Sequence, residues 1–217
     1  MTTSRRRLPL FPLNTVLFPN ASLPLQIFEE RYKLMLRECM ESDNRFGVAL
    51  IREGPEVGGP AVPHDIGTIA HITQVNRIEG DRFFVSAVGV QRFRVLDITQ
   101  RDPFVAADVE LLEDASPDLT SADELVREAT NAFSDYAQAS VGVAGGWVSR
   151  TRVPSDPESL SYHIANTVQM DIGEKQRLLE HESSASRLTA EVEVLKQGYQ
   201  DLRRQMSWEM MTRFSRQ

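Results

Sequence analysis

Near residue 115 the hydrophobic pattern of this 217-residue chain changes its period, and that change limits the folds open to it. Before it, short runs rich in β-branched and aromatic residues are separated by turn formers. They are residues 45–52 (RFGVALIR), 66–78, 82–88, 91–98 and 104–112. In the last of them Val105, Ala107, Val109 and Leu111 alternate with Asp108 and Glu110, the period of two that a half-buried strand requires. Glu79-Gly80-Asp81 lies between two runs and predicts a hairpin turn, while Gly89 interrupts an apolar run and predicts a bulge or a bend. One helix interrupts this half. Phe28, Tyr32, Met35, Leu36 and Cys39 share a helical face, and Glu29 and Glu30 sit in its first turn, where the helix dipole favours acids. Short strands with one inserted helix predict a small closed or partly closed barrel.

Residues Glu113–Leu119 are polar, contain a proline and mark a boundary. Beyond them the spacing is helical. Ser121 and Glu124 form a candidate capping box ahead of Leu125, Ala129, Phe133 and Tyr136. Residues 142–147 (GVAGGW) break that helix. Asp156-Pro157 opens another, lined by Leu160, Ile164 and Val168, and Asp171 with Glu174 opens a third. Leu188, Val192, Leu195, Tyr199, Leu202 and Met206 then recur at fours and threes, a seam that predicts either closure of a bundle or self-association through the 188–206 helix.

Charge and cysteine content narrow the setting. Lys and Arg number 24 against 31 Asp and Glu, a net charge of −7, so the average field repels nucleic acid and anionic membrane. The single cysteine, Cys39, has no internal disulfide partner, and no run reaches the ~20 apolar residues of a membrane span. The basic start at residues 5–7 is followed by prolines at 9, 12 and 19, which spoil an export helix. The expected compartment is the cytoplasm.

Bond-making chemistry finds no foothold in the motifs. There is no phosphate-binding loop ending in Gly-Lys-Ser/Thr, and residues 54–63 (GPEVGGPAVP) are too rich in proline to cradle a phosphate; a structural or mobile contact loop fits them better. The histidines at 64, 71, 163 and 181 are scattered and there is no paired-cysteine motif, so neither a metal nor another cofactor is expected. Cys39 lies beside Met35 and Leu36 on an apolar face, which fits a buried, inert thiol.

One longer pattern carries a resemblance. The stretches LPLFPLNTVLFP (8–19) and LPLQIFEERY (23–32), then RFGV (45–48), Gly67-Thr68 and VGVQRF (88–93), are similar in order to the opening of the amino-terminal domain of Lon proteases. Residues 174–180 (EKQRLLE) and Arg187-Leu188 resemble the stretch that follows it. The resemblance implies an α+β protein: an amino-terminal PUA-like β-barrel domain with one inserted helix (1–115), followed by an all-α helical bundle domain (120–217). It also implies a non-enzymatic module that binds unfolded or partner polypeptide. The ATPase and the serine–lysine peptidase of Lon have no counterpart in these motifs.

The prolines at 9, 12, 19 and 24 keep the first segments extended and suit edge or wrapping strands. Phe11, Phe18 and Phe28, at about 150–250 Å² each, supply either core or an exposed patch that grips unfolded segments. The contact surface is placed at Phe28, Arg31 and Tyr32, on the strand-to-helix junction, and at Arg92 and Phe93. The plainer reading of these five is core packing with a salt link. For Arg92-Phe93-Arg94 it puts Phe93 in the core and both arginines in solvent. Two alternatives share the chain: an RNA-binding module using the basic-aromatic strand, and an unrecognised hydrolase assembled from distant side chains.

Overall fold

Four prolines in the first 24 residues hold that segment extended. In the computed structural model, which describes residues 5–59, 61–115, 119–143 and 153–214, it becomes β1 (Arg5–Leu13) and β2 (Ser22–Ile27). β1 changes partner half-way. Arg5–Pro9 pairs antiparallel with β7 (Ala106–Leu111), and Leu10–Leu13 pairs parallel with β3 (Arg45–Glu53). Each half is therefore laddered on one side, which leaves a side for a proline nitrogen that has no hydrogen to donate. From β3 the sheet continues antiparallel through β5 (Ile66–Ile78) and β6 (Arg82–Gln100) to β7, so the ring of strands closes on β1. β4 (Val62–Pro63) extends β3, and β2 pairs with β6 off the ring.

The sequence predicts two strands at 82–88 and 91–98; the structure joins them into one 19-residue strand. Val90 is the extra residue of a bulge between the pairs Ile69–Gln91 and Ala70–Gly89. Gly89 is required there. A Cβ would lie 2.2 Å from the Phe18 carbonyl oxygen, because residues 18–21 cross at this point and exchange backbone hydrogen bonds with Gly89.

The barrel interior is Leu8, Leu10, Ala49, Ile69, Phe93, Ala107 and Val109, the inward positions of β1, β3, β5, β6 and β7. Phe93 fills its centre so closely that a Cβ on Gly67 would meet its ring at 2.7 Å. The inserted helix α1 (Glu30–Glu41) buries Tyr32, Met35, Leu36 and Cys39. It is fixed by aromatic contact, with the Tyr32 ring 4.0 Å from that of Phe11, which in turn lies 6.2 Å from that of Phe46. Burial pushes the Cys39 thiol up to about 12, so it is unreactive at neutral pH.

The chain divides into two compact units. The β unit runs to Glu113 and also takes in Gln169–Glu180; the helical unit comprises Asp114–Val168 and His181 onward. This differs from the sequence reading, which gives every helix after residue 120 to one bundle. α4 (Ile172–Glu180) packs on the barrel instead, because its polar groups find partners there. Gln176 Nε2 donates to the Ile66 carbonyl at 3.0 Å, and Arg92 Nη1 donates to the Leu179 carbonyl at 2.7 Å. Amphipathic spacing shows that a helix has a buried face, not which layer receives it.

The helical unit consists of α2 (Leu119–Val143), α3 (Pro157–Thr167) and α5 (Ser184–Phe214). Asp156 caps α3 by accepting from Ser159 N, as its sequence predicts. α2 starts at Leu119; the Ser121 side chain of the predicted capping box and residues 144–147 of the predicted loop lie outside the described residues. The three helices pack on one another, and Ala129 and Phe133 of α2, Leu160 and Ile164 of α3, and Leu188, Val192 and Leu195 of α5 are buried. The first half of the α5 seam is thus buried inside the unit, while Tyr199, Leu202 and Met206 are half-buried. A polar cluster sits in this core. Arg187 Nη2 donates to both carboxylate oxygens of Asp114 at 3.0 and 2.9 Å, Nη1 donates to the Ser161 hydroxyl at 2.7 Å, and the guanidinium lies over the Tyr162 ring. No helix among the described residues is long and apolar enough to cross a membrane.

Candidate functional site

Of the three early phenylalanines, Phe11 and Phe18 are buried, and Phe28 is 49% exposed. It marks the step from β2 into α1. Glu29 occupies the N-cap position, yet its side chain makes no capping bond. Its carboxylate instead accepts from Arg31 Nε at 3.0 Å and from the Gly58 backbone N–H at 3.2 Å. Arg31 completes the link by donating to the carbonyls of Gly59 at 2.7 Å and Glu56 at 3.3 Å. Its guanidinium also lies 4.5 Å from the centre of the Tyr32 ring. Residues 54–59 are thereby pinned beside the start of α1, in a turn where Gly54 and Gly58 take positive φ.

The result is a cleft of about 190 Å³, lined by Phe11, Leu13, Leu25, Phe28, Tyr32 and Val57 among others. Val57, at the loop tip, is 57% exposed, whereas Tyr32 is 4% exposed and forms the floor. Burial raises the Tyr32 hydroxyl above its ordinary range; Arg31 opposes the shift, and Glu29 and Glu56 add to it. At neutral pH the floor is therefore an uncharged phenol.

On the outer side of α1 lies a larger groove of about 570 Å³. Leu34, Met40 and Phe83 supply its apolar wall, and Arg37, Glu41 and Arg77 its polar margin. Lys33 bridges Glu30 at 2.7 Å and Asp81 at 2.8 Å, tying the helix to the β5–β6 turn. Leu34 and Met40 are both exposed.

The structure brings Phe28, Arg31 and Tyr32 together and separates them from Arg92 and Phe93. Phe93 is 0% exposed at the barrel centre, and Arg92, at 2% exposed, is turned under α4. The expectation that Arg92 faces water fails because this stretch of β6 is covered on both sides, by the barrel core and by α4. Arg94 is exposed and lies 3.7 Å from Glu110. The basic-aromatic strand that the RNA-binding alternative would use is therefore mostly interior. Among the described residues no group of three His, Cys, Asp or Glu side chains is placed to hold a metal.

The profile of the ATP-dependent protease La (LON) substrate-binding domain matches residues 7–197. The chain belongs to that family. The Lon protease of Syntrophus aciditrophicus (strain SB) is 26% identical over 179 residues, covering 80% of this chain and 23% of its own length. The Lon protease of Azorhizobium caulinodans is 29% identical over 183 residues, covering 83% and 21%. The chain thus spans about a quarter of the length of the curated relatives it matches. Two solved structures share the fold. A Lon N-terminal domain protein from Xanthomonas campestris superposes with a TM-score of 0.64 at 24% identity, covering 85% of this chain and 96% of that one. The N-terminal domain of Mycobacterium avium complex Lon protease gives 0.65 at 18% identity, covering 88% and 98%.

Within this Lon substrate-binding domain the motif at 23–32 builds the cleft: Leu25 and Phe28 line it, Glu29 and Arg31 hold its loop, and Tyr32 floors it. Sequence reasoning missed the groove along α1. Its signal was available, since Leu34 and Met40 are large apolar residues off the buried stripe of Tyr32, Met35, Leu36 and Cys39.

Proposed function

We propose that this domain binds polypeptide, in non-native or partner segments, at the apolar surface formed by the Phe28 cleft and the groove along α1, and that it does so without chemistry of its own. The observation that carries this reading is the exposure of Phe28, Leu34, Met40 and Val57 around one helix. Single exposed apolar residues are ordinary; four large ones lining two depressions beside α1 are the kind of surface that proteins use for contact. At about 570 Å³ the α1 groove has room for several side chains. The polar margin of Lys33, Arg37, Asp81 and Glu41 gives the apolar centre a charged rim, the usual anatomy of a protein-binding surface. The description of the family as substrate-binding supports the same reading. The longer relatives are Lon proteases, and we extend to this chain a part in recognising substrates for proteolysis.

Fluorescence anisotropy with labelled unfolded peptides tests it. Saturable binding in the micromolar range is expected. A Phe28→Asp, Leu34→Asp double variant should weaken it by more than about tenfold, the scale of a lost hot spot. Absence of saturable binding, or indifference to both substitutions, sinks the reading.

A further inference from the structure

β2 is joined to the barrel along one side only. Its residues pair antiparallel with β6, from Ser22 opposite Val88 to Ile27 opposite Phe83. Among the described residues none of them makes a backbone hydrogen bond to any other segment. Which groups face the open side follows from alternation, because the N–H and C=O of one strand residue point to one neighbour and those of the next point to the other. The Thr73 hydroxyl donates to the Ser86 carbonyl at 3.0 Å, so Ser86 faces β5. Val85 and Ala87 therefore face β2, where Leu25 and Leu23 meet them. Ser22, Pro24 and Gln26 are left directed outward. Pro24 agrees with this, since a proline is tolerated in a strand where no ladder bond is asked of its nitrogen. The open edge thus presents the carbonyls of Ser22, Pro24 and Gln26 and the N–H groups of Ser22 and Gln26. All three residues are exposed.

The cleft lies against this edge, with Pro24, Leu25 and Gln26 among its lining. Its volume of about 190 Å³ is below the roughly 300–1,000 Å³ of small-molecule sites and suits individual side chains. A strand laid on the edge would direct alternate side chains to it, with the period of two. The rim has a sign. Glu29 and Glu56 carry two negative charges, and Arg31 carries one positive charge that is already directed at Glu29 and the loop carbonyls. A basic residue complements it.

We infer that the open edge of β2 takes an extended polypeptide segment as an added strand. The segment is paired to the main chain at Gln26, Pro24 and Ser22, with alternate apolar side chains in the Phe28 cleft and a basic residue at the Glu29–Glu56 rim. This deepens the polypeptide-binding reading above and rests on it. Recognition through the main chain tolerates many sequences and selects for extended, unfolded conformation.

The test uses the whole chain and a fluorescent eight-residue peptide of alternating valine and threonine with a terminal lysine. Two further versions are N-methylated at alternate residues in opposite registers. One register should lose affinity by about tenfold or more, because it removes the donors that face β2, and the other should bind as the parent does. Gln26→Pro should weaken the parent peptide comparably, and Pro24→Ala, which adds a donor to the edge, should tighten it. Replacing the lysine by glutamate should weaken binding severalfold. If both methylated peptides bind like the parent, or both lose binding equally, strand addition is overturned while polypeptide binding stands. If glutamate binds like lysine, the charged rim is overturned. If the parent does not bind at all, the polypeptide reading itself falls.

Discussion

In the β unit, Arg92 lies under α4 and donates to the neutral carbonyl of Leu179. In the helical unit, Arg187 is fully buried against the carboxylate of Asp114, one helical turn before Glu191, whose two carboxyl oxygens are buried without a hydrogen bond. Burial pushes the Glu191 carboxyl up to about 9, even though Arg187 pulls the other way. The two units therefore divide the physical tasks. The barrel is closed by apolar side chains and carries the exposed large apolar residues Phe28, Leu34, Met40 and Val57. The helical unit holds an ionic cluster inside, and among its described residues Trp208 is the large apolar side chain left exposed. The exposed apolar surface is thus concentrated in the first unit, and the buried ionisable groups Arg187, Asp114 and Glu191 in the second.

The contrast can be broken most directly at the two arginines. Arg187→Ala leaves Asp114 buried without its counter-charge and should cost about 3–5 kcal/mol. Arg187→Met with Asp114→Leu should recover much of that loss. Arg92→Met removes the donor to the Leu179 carbonyl and should cost about 1–3 kcal/mol. Circular dichroism in urea, which follows strands and helices alike, reads both variants. Equal costs at the two arginines would erase the distinction.

Glu191 sharpens it. Folded, the carboxyl stays protonated to about 9; unfolded, it ionises near its ordinary 4.5. The stability that the protonated Glu191 carboxyl contributes is therefore full below 4.5 and is lost as pH rises toward 9. Glu191→Met should remove that slope and add about 1–3 kcal/mol at pH 7 by eliminating an unsatisfied buried group. A variant whose melting temperature still tracks pH as the parent's does would contradict the assignment.

The smallest effect is expected at the cleft loop. Arg31→Met removes two hydrogen bonds to carbonyls and the pair with Glu29, each worth about 0.5–1.5 kcal/mol at most in so open a place. Hydrogen exchange at residues 56–59 should accelerate while the global unfolding midpoint stays put. A drop in the midpoint would mean that the loop is part of the barrel's core and not a wall added to it.

Local chemistry was legible and long-range coverage was not. The β-like run at 66–78, the strand period in 104–112, the hairpin at Gly80 and the helix start at Asp156 are written in residues a few positions apart, and the structure has strands at Ile66–Ile78 and Ala106–Leu111, the turn and the cap. Phe28, Arg31 and Tyr32 fall close together for the same reason, because they lie within one strand-to-helix step. Arg92 was misjudged because its environment depends on α4, which arrives from more than eighty residues away. The loop at 54–59 could be seen as a contact loop, but that Glu29 forgoes capping to hold it could not, since the pairing spans a turn of unrelated sequence.

The chain passes between the units three times: after Glu113, after Val168 and after Glu180. A protein that is threaded this way has no single place where it can be cut into halves. Cleaving or grafting at residue 115 would carry the Phe28 cleft away intact and leave behind the helix that roofs Arg92, exchanging a carbonyl for water around that guanidinium. Moving the complete β unit, α4 included, to a new host as one uninterrupted stretch of chain therefore carries residues 114–168 of the helical unit along as cargo.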